Sequence, residues 1–146
     1  MAAYAENRKA YFNYEVLDKY EAGIELLGTE VKAVRAGKMS LDSAFVVVRG
    51  GEVYLLNASV EPYQPNNLPS GYDRLRNKKL LLTKKEVREL ASAEKNLTIV
   101  PLRVYNKGRK IKIEIAKVKG KKKYDKRESI KKRETNRELR REYKGR

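Results

Sequence analysis

The strongest constraint on the fold is a strictly alternating stretch near the carboxyl end of the chain. Within residues 111–118, Ile111, Ile113 and Ile115 alternate with charged side chains. A period of two is typical of a strand that buries one face and exposes the other. A second apolar stretch, residues 97–105, precedes it across the short polar segment NKG. We therefore predict an antiparallel hairpin whose turn lies around that segment.

A second hairpin is predicted in the first half of the chain. Residues 44–48 and 53–56 are rich in Val and Leu, and Gly50 and Gly51 lie between them. A two-residue hairpin turn needs positive φ angles, which glycine adopts at little steric cost. The pair of glycines therefore predicts the position of the turn.

Two further stretches complete the strand prediction. Residues 11–17 and 21–27 are aromatic and aliphatic, and we interpret them as two strands separated around residues 18–20. Pro101 cannot donate a ladder hydrogen bond, so we expect it at a sheet edge or at a bulge. Residues 61–73 hold three of the four prolines and predict a surface loop.

Two short helices are indicated by their termini. Thr29 can cap the segment TEVKAVRA, and Gly37 is a suitable left-handed terminator. Thr83 and Glu86 form a T-x-x-E capping box, followed by apolar residues on one helical face. We expect this second helix to end near Lys95.

These elements predict a mainly β or α+β protein. Five or six strands joined mainly by hairpins, with little room for parallel crossovers, favour an antiparallel barrel with two or three flanking helices. At 146 residues, an OB-like barrel is the natural candidate. We place this barrel in residues 1–118 and a basic tail in residues 119–146.

Charge is concentrated at the carboxyl end. Residues 117–146 contain 15 Lys or Arg and 5 Asp or Glu, a net charge of +10 in a protein of formal charge +16. This tail has few apolar side chains, so we expect it to be disordered when no partner is bound. Its sequence nevertheless permits a helix from Asp125 onward. A solvated extension and a nucleic-acid arm are both open interpretations, and the lopsided charge favours the arm.

The composition excludes several chemistries. The chain has no Cys and no His, so it lacks disulfides, zinc fingers, Cys–His nucleophiles and imidazole acid-base catalysis. It has no apolar run of 18 residues and no signal-peptide pattern at its start, which predicts a soluble, cytoplasmic protein without membrane contact. Its positive charge favours polyanionic partners.

The sequence offers little for catalysis. Glu21, Glu30 and Asp42 are the carboxylates that a metal-dependent nuclease could use, but none has a partner at an informative spacing. Glu30 is more simply explained by a favourable interaction with a helix N-terminus. The sequence therefore predicts no enzyme, no metal and no cofactor.

Basic clusters point instead to RNA. Residues 74–88 carry seven basic side chains against one acid, a pattern that can follow a phosphate backbone. A solubilising face around an apolar run is the alternative. Tyr63, Tyr72 and Tyr124 lie in loop or tail positions where a base could stack, whereas Tyr14, Tyr54 and Tyr105 are expected in the core.

Several motifs together resemble one family. They are the opening NRKA, the string EAGIELLGTEVK with the following Arg35, the pair Pro62 and Tyr63, the basic-leucine run from Arg76, the VPL segment, and the tail strings GKK and YDKRE. In this order they resemble the SsrA-binding protein family, also called small protein B. The resemblance spans nearly the whole chain and implies an OB-like barrel.

The resemblance also implies a function. Such a protein binds the transfer-RNA-like domain of transfer-messenger RNA and, with elongation factor Tu, brings that RNA to stalled ribosomes. The resemblance also implies that the free protein is a monomer. Its tail is expected to enter the decoding centre and empty message channel, against 16S ribosomal RNA, and to become helical there. The nascent chain is then tagged for proteolysis. A generic ribosomal protein or RNA chaperone with the same barrel is the alternative function.

Residue roles follow from the matching motifs. The implied RNA-binding residues of the barrel are Asn7, Arg8, Lys9, Glu30, Lys32, Arg35, Arg76, Lys78 and Lys79. The implied ribosome-interacting residues of the tail are Lys121, Lys122, Tyr124, Asp125, Lys126, Arg127, Lys131, Lys132 and Arg133. Thr83 stands where the family usually has His, which makes a capping role for this residue more plausible.

Overall fold

The computed structural model describes residues 3–63, 71–93 and 96–120. The strands are β1 (Ala3–Glu6), β2 (Tyr14–Ile24), β3 (Met39–Ser40), β4 (Phe45–Arg49), β5 (Glu52–Leu56), β6 (Ser59–Val60), β7 (Lys78–Leu81), β8 (Leu97–Lys107) and β9 (Lys110–Gly120). The helices are α1 (Arg8–Asn13), α2 (Gly28–Arg35) and α3 (Lys84–Ala91). The predictions for Tyr124 and the rest of residues 121–146 lie outside the described residues.

The main sheet closes on itself as an antiparallel barrel. Its strand order is β1-β8-β4-β5-β7-β2-β9, and an additional pairing of β8 with β9 joins the two ends of the ring. Strand β1 pairs with β8 beside this ring, and β3 and β6 form a separate two-stranded sheet. The predicted OB-like barrel with flanking helices is therefore confirmed.

Both predicted hairpins are present. In the first, Arg49 pairs with Glu52, and the intervening Gly50 and Gly51 have φ angles of 57° and 77°. In the second, β8 and β9 pair as far as Lys107 with Lys110, so the turn consists of Gly108 and Arg109 and begins two residues after the start of the NKG segment. Two of the alternating isoleucines, Ile113 and Ile115, are fully buried, and Ile111 is partly buried against the core.

The prediction of two strands around residues 18–20 is wrong. Residues 11–13 belong to α1, residues 14–24 form the single eleven-residue strand β2, and residues 25–27 lie outside both elements. The pairing of β2 with β9 shifts register between Val16 and Asp18, so the polar interruption is a bulge. A bulge keeps the strand continuous while leaving the side chain of Leu17 45% exposed.

A second bulge explains the position of Pro101. The register between β8 and β9 shifts between Pro101 and Arg103, as the missing donor of proline predicts. Leu102, between them, is buried, and its backbone carbonyl accepts a hydrogen bond from the Asn7 N–H at 2.8 Å. The bulge therefore provides an attachment point for the segment that leads into α1.

The two helix predictions are confirmed, with corrections at their ends. Helix α2 begins at Gly28, so Thr29 lies inside it and is not the cap; Gly37 follows its end with φ 78°. Helix α3 has the predicted capping box, in which Thr83 Oγ1 accepts from the Glu86 N–H at 3.2 Å. It ends at Ala91, earlier than the predicted Lys95.

The core fills the barrel interior and extends beneath the helices. Its centre includes the fully buried side chains of Val34, Leu55, Val104 and Ile113, and α3 contributes Leu90. A smaller cluster around Leu102 and Val118 packs beside α1. None of the helices in the described segments is long and apolar enough to cross a membrane.

Candidate nucleic-acid interface

A buried charged cluster joins α2 to the segment before β7. Glu30 is 1% exposed, and its Oε1 accepts hydrogen bonds from the Leu27 N–H at 2.7 Å and from Arg76 Nη2 at 2.5 Å. Arg76 Nε donates to the second oxygen of Glu30 at 3.2 Å. This two-pronged pairing fixes the guanidinium at the surface end of the cluster.

Lys78 occupies the interior end of the same cluster. Its side chain is fully buried, and its Nζ donates to the carbonyls of Arg76 at 2.7 Å and Ala58 at 3.3 Å. The ammonium lies 4.0 Å from Glu30 Oε2. An RNA phosphate outside the barrel cannot reach this ammonium, so the role implied for Lys78 as a direct phosphate contact is incompatible with its position.

The electrostatics of the cluster follow from its burial and pairing. Burial acts to raise the pKa of Glu30, but the hydrogen bonds from Arg76 and the Leu27 N–H, with the neighbouring positive charges, hold it below its ordinary value. Burial lowers the pKa of Lys78, and the charge of Glu30 opposes this shift. Glu30 is thus an internal counter-ion, and its carboxylate is committed within the fold.

The opening motif divides into one structural residue and two exposed cations. Asn7 is buried, and its side-chain amide donates to the Pro101 carbonyl at 2.9 Å. Arg8 has a side chain that is 92% exposed, with Glu6 at 3.9 Å, and Lys9 is exposed on α1. Asn7 therefore holds α1 against the barrel, while Arg8 and Lys9 are available to an anion.

Three other implied RNA-binding residues lie on the surface. Lys32 and Arg35 are exposed on α2, where Arg35 Nη2 donates to the Arg109 carbonyl at 3.1 Å. Lys79 is partly exposed on β7 and pairs with Glu52 at 3.0 Å. Lys32 and Arg35 therefore share α2 with Glu30, the partner of Arg76, whereas Arg8 and Lys9 lie on α1.

The core prediction for Tyr54 is wrong, because Tyr54 is only partly buried on β5 and its hydroxyl donates to Glu52 at the surface. Tyr14 is partly buried and packs against the smaller cluster. Tyr105 is buried, as expected, and its hydroxyl donates to Glu21; burial and this hydrogen bond raise the pKa of Tyr105 to about 12. Tyr72 is half-buried, and its hydroxyl donates to the Val60 carbonyl at 2.8 Å, which restricts it as a stacking platform. Tyr63 is 46% exposed and remains accessible.

The carboxylates considered for a nuclease are not brought together. Glu21 accepts hydrogen bonds from Tyr105 and from Lys107 Nζ, the latter at 2.9 Å, and these donors hold its pKa below the ordinary value. Glu30 is enclosed by Arg76 and Leu27. Within residues 3–63, 71–93 and 96–120, no group of three acidic side chains could hold a metal ion.

Sequence reasoning missed one set of basic residues. Arg109 lies in the β8–β9 turn, Lys110 and Lys112 lie at the start of β9, and the three residues line a groove together with Arg35 of α2. In sequence they are separated from α2 by more than seventy residues and look like the solvent face of an amphipathic strand. These residues could have been predicted as part of the same surface only if the contact between the β8–β9 turn and α2 had been predicted.

The fold and surface define a class, namely OB-like antiparallel barrels with a strongly basic surface and flanking helices. The sequence matches the SmpB protein family from residue 4 to residue 145. The chain therefore belongs to the SmpB protein family.

Individual relatives support the same assignment. An SsrA-binding protein of Sulfurihydrogenibium is 49% identical over 143 residues, which cover 97% of this chain and 93% of that protein. The SsrA-binding protein of Magnetococcus marinus is 50% identical over 139 residues, covering 94% and 92%. A solved structure described as "tmRNA-SmpB: a journey to the center of the bacterial ribosome" contains a chain with a TM-score of 0.67 and 41% identity, covering 86% of this chain and 92% of that one.

Proposed function

We propose that this protein is an RNA-binding adaptor of trans-translation. It binds the transfer-RNA-like domain of transfer-messenger RNA, and with elongation factor Tu it delivers that RNA to stalled ribosomes. The observation that carries the proposal is the 49% identity to an SsrA-binding protein over 97% of the chain. The solved relative described as "tmRNA-SmpB: a journey to the center of the bacterial ribosome" supports transfer-messenger RNA and the ribosome as partners.

The physical properties of the barrel suit this role. Exposed cations on α1 and α2 can attract phosphate. The guanidinium of Arg76 is held in one orientation by Glu30 and by the Glu25 and Asn77 carbonyls. Structured RNA is recognised through shape, unpaired loops and backbone contacts, which need few side chains on a stable surface. The barrel would supply that surface without performing chemistry on the RNA.

We assign the ribosomal step to the basic tail. Residues 117–146 carry a net charge of +10, and phosphate-rich ribosomal RNA can neutralise it. In this proposal the tail lies in the decoding centre and empty message channel, with Asp125, Lys126 and Arg127 among its contacts. Most of this tail lies outside the described residues, so the assignment is supported by its charge and by family membership.

The decisive experiment is tagging of a stalled nascent chain in a reconstituted bacterial translation system that lacks its own adaptor. We expect tagging only when both this protein and transfer-messenger RNA are added. Tagging with the RNA alone, or none with both components, would contradict the proposal.

A binding measurement separates this function from a generic RNA chaperone. We expect tighter binding to transfer-messenger RNA than to an unrelated RNA of equal length at about 150 mM salt, where nonspecific phosphate contacts are weakened. Equal affinity for the two RNAs would favour the chaperone.

A further inference from the structure

A groove on the barrel surface lies between helix α3 and the strands β5 and β7. Its lining is mostly aliphatic and includes Val53, Leu80, Leu81, Leu82 and Val87. Its volume is about 530 Å³, which lies within the range of roughly 300–1,000 Å³ typical of binding pockets. Leu81 is 50% exposed, so the groove offers apolar surface that a partner can cover.

The wall formed by α3 carries two cations one helical turn apart. Lys84 and Arg88 both line the groove and are exposed. Their i, i+4 spacing puts their Cβ atoms about 5–6 Å apart on one face of the helix. Among the residues that the structure describes, no acidic side chain forms an ion pair with either of them. The positive charge of this wall is therefore available to a partner.

The wall formed by the sheet is electrically balanced. Lys79 Nζ lies 3.0 Å from Glu52 Oε1, and the Tyr54 hydroxyl donates to the same carboxylate. The groove therefore has positive charge on one side, a neutral ion pair on the other, and aliphatic side chains in its lining.

The helix wall is held in place without a ligand. The capping box of Thr83 and Glu86 fixes the start of α3, and the side chain of Leu90 is buried near its end. The Tyr20 hydroxyl donates to Glu89 Oε2 at 3.1 Å, which ties α3 to β2. A partner therefore loses little entropy in ordering the site.

The groove is open at the β4–β5 turn. Gly51 is one of its lining residues, and apart from its chain neighbours no heavy atom lies within 4 Å of the position that a Cβ would occupy there. An occupant can extend past this turn instead of ending in a closed pocket. The shape therefore suits an elongated occupant better than a compact one.

We propose that this groove binds an acidic amphipathic helix of a protein partner. The apolar face of that helix covers the aliphatic lining, and two of its acids, one turn apart, pair with Lys84 and Arg88. RNA fits less well, because its backbone also brings phosphate towards Glu52. In addition, none of the lining residues in the described part of the chain is aromatic, so a base has no ring to stack on. This site adds a protein partner to the proposed RNA-binding function and does not depend on it.

The charge contacts are tested with Lys84→Glu in the full-length chain. The probe is a fluorescein-labelled helical peptide with leucines along one face and glutamates at i, i+4 on the other, measured by anisotropy. We expect peptide affinity to fall about fivefold, because an attraction becomes a repulsion. Lys85→Glu is the matched control, since Lys85 is the next residue of α3 and is exposed but does not line the groove. Equal losses in the two variants would assign binding to overall charge and overturn the site.

The apolar contacts are tested with Leu81→Ser and with a second peptide. We expect Leu81→Ser to weaken peptide binding about tenfold, because half of a leucine surface loses its apolar partner. Leu17→Ser is the control, since Leu17 is 45% exposed and lies outside the groove. Leu81 also lines the groove beside α2, so these measurements are made without RNA. A peptide of the same composition in scrambled order keeps the charge, and equal binding of the two peptides would contradict recognition of an amphipathic helix.

A benzophenone photo-crosslinker at position 84 separates a protein partner from RNA in a bacterial translation extract. We expect a product that resists ribonuclease, that is absent with the crosslinker at position 85, and that excess acidic peptide suppresses. Sequencing of the attached segment should find acids at i, i+4 beside an apolar face. A product that ribonuclease digests would assign the groove to RNA, and no product specific to position 84 would contradict a protein partner.

The outcomes separate this site from the proposed function. Failure of tagging with normal peptide binding would contradict the function and leave the site intact. Normal tagging with no specific peptide binding would overturn the site alone. Circular dichroism melts establish that each variant is folded.

Discussion

Glu30 shows how a single residue acquires its role from contacts in three segments. In sequence it is an acid near a helix start, where a favourable interaction with the helix dipole is sufficient explanation. In the fold its carboxylate accepts from the Leu27 N–H and from Arg76, and it faces the buried ammonium of Lys78. Removing this charge would leave a buried cation with less compensation.

We therefore expect Glu30→Gln to lower the free energy of unfolding by about 3 kcal/mol, because breaking a buried charge cluster leaves its remaining charge poorly solvated. Urea denaturation of the full-length chain measures this loss. Glu52→Gln is the control, since the Glu52–Lys79 pair at 3.0 Å is exposed and should leave stability close to wild type. Similar losses in the two variants would contradict the internal role of Glu30.

The same carboxylate predicts a pH dependence. The folded-state pKa of Glu30 lies below its ordinary value of 4.5, so the unfolded chain takes up a proton first as pH falls. Its stabilisation is present above the unfolded pKa and is lost as pH drops through the folded pKa. We expect the stability gap between wild type and Glu30→Gln to narrow below about pH 4.5. A gap that stays constant from neutral pH to about pH 3 would assign the loss to packing.

At the scale of elements, helix starts depend on details that propensity alone does not resolve. Both Thr29 and Thr83 precede an apolar helical face and have an acid close behind them. Thr83 is a cap, and its Oγ1 accepts from the Glu86 N–H. Thr29 lies within α2, because Glu30 instead satisfies the Leu27 N–H at the helix start. Arg76, by donating to the Glu30 carboxylate, holds it where it accepts the hydrogen bond from the Leu27 N–H.

This difference predicts that substitution by alanine changes the free energy of unfolding differently at the two threonines. Thr83→Ala should lower the free energy of unfolding by about 1 kcal/mol, because a capping oxygen is lost. Thr29→Ala should leave it unchanged or slightly raised, since alanine is the better residue inside a helix. Thermal melts of the two variants make the comparison, and a larger loss at position 29 would contradict the observed helix start.

At the scale of the whole molecule, positive charge is divided between the barrel and the tail. Residues 1–116 carry a net charge of +6, compared with +10 in residues 117–146. The β8–β9 pairing that closes the barrel lies within residues 97–119, and β9 ends at Gly120. The two parts can therefore be separated by truncation without cutting through the barrel.

We expect a chain that ends at Tyr124 to retain its preference for transfer-messenger RNA and to lose tagging activity. The first property belongs to the barrel in the proposed mechanism, and the second requires tail contacts on the ribosome. Filter binding and reconstituted tagging measure the two activities. A full-length chain with residues 125–146 in shuffled order keeps the charge, and tagging by that chain would show that charge alone suffices. Loss of RNA preference in the truncated chain would contradict the separation.

Local sequence patterns predicted the elements that are determined by short-range interactions along the chain. The alternation around Ile113 and the positive φ angles at Gly50 and Gly51 located both hairpins, because strand periodicity and tight turns are short-range properties. The continuity of β2 was missed, since the polar residues near Asp18 resemble a turn until a paired strand shows them to be a bulge.

The sequence by itself determined that the chain forms an antiparallel barrel and carries excess positive charge, because side-chain alternation, turn glycines and composition are present before folding. The tertiary structure decided which charges are available. It buried Lys78 beside Glu30, forty-eight positions earlier, and brought Arg109 against Arg35. Burial and charge pairing depend on distances between segments remote in sequence, and closure of the barrel sets those distances.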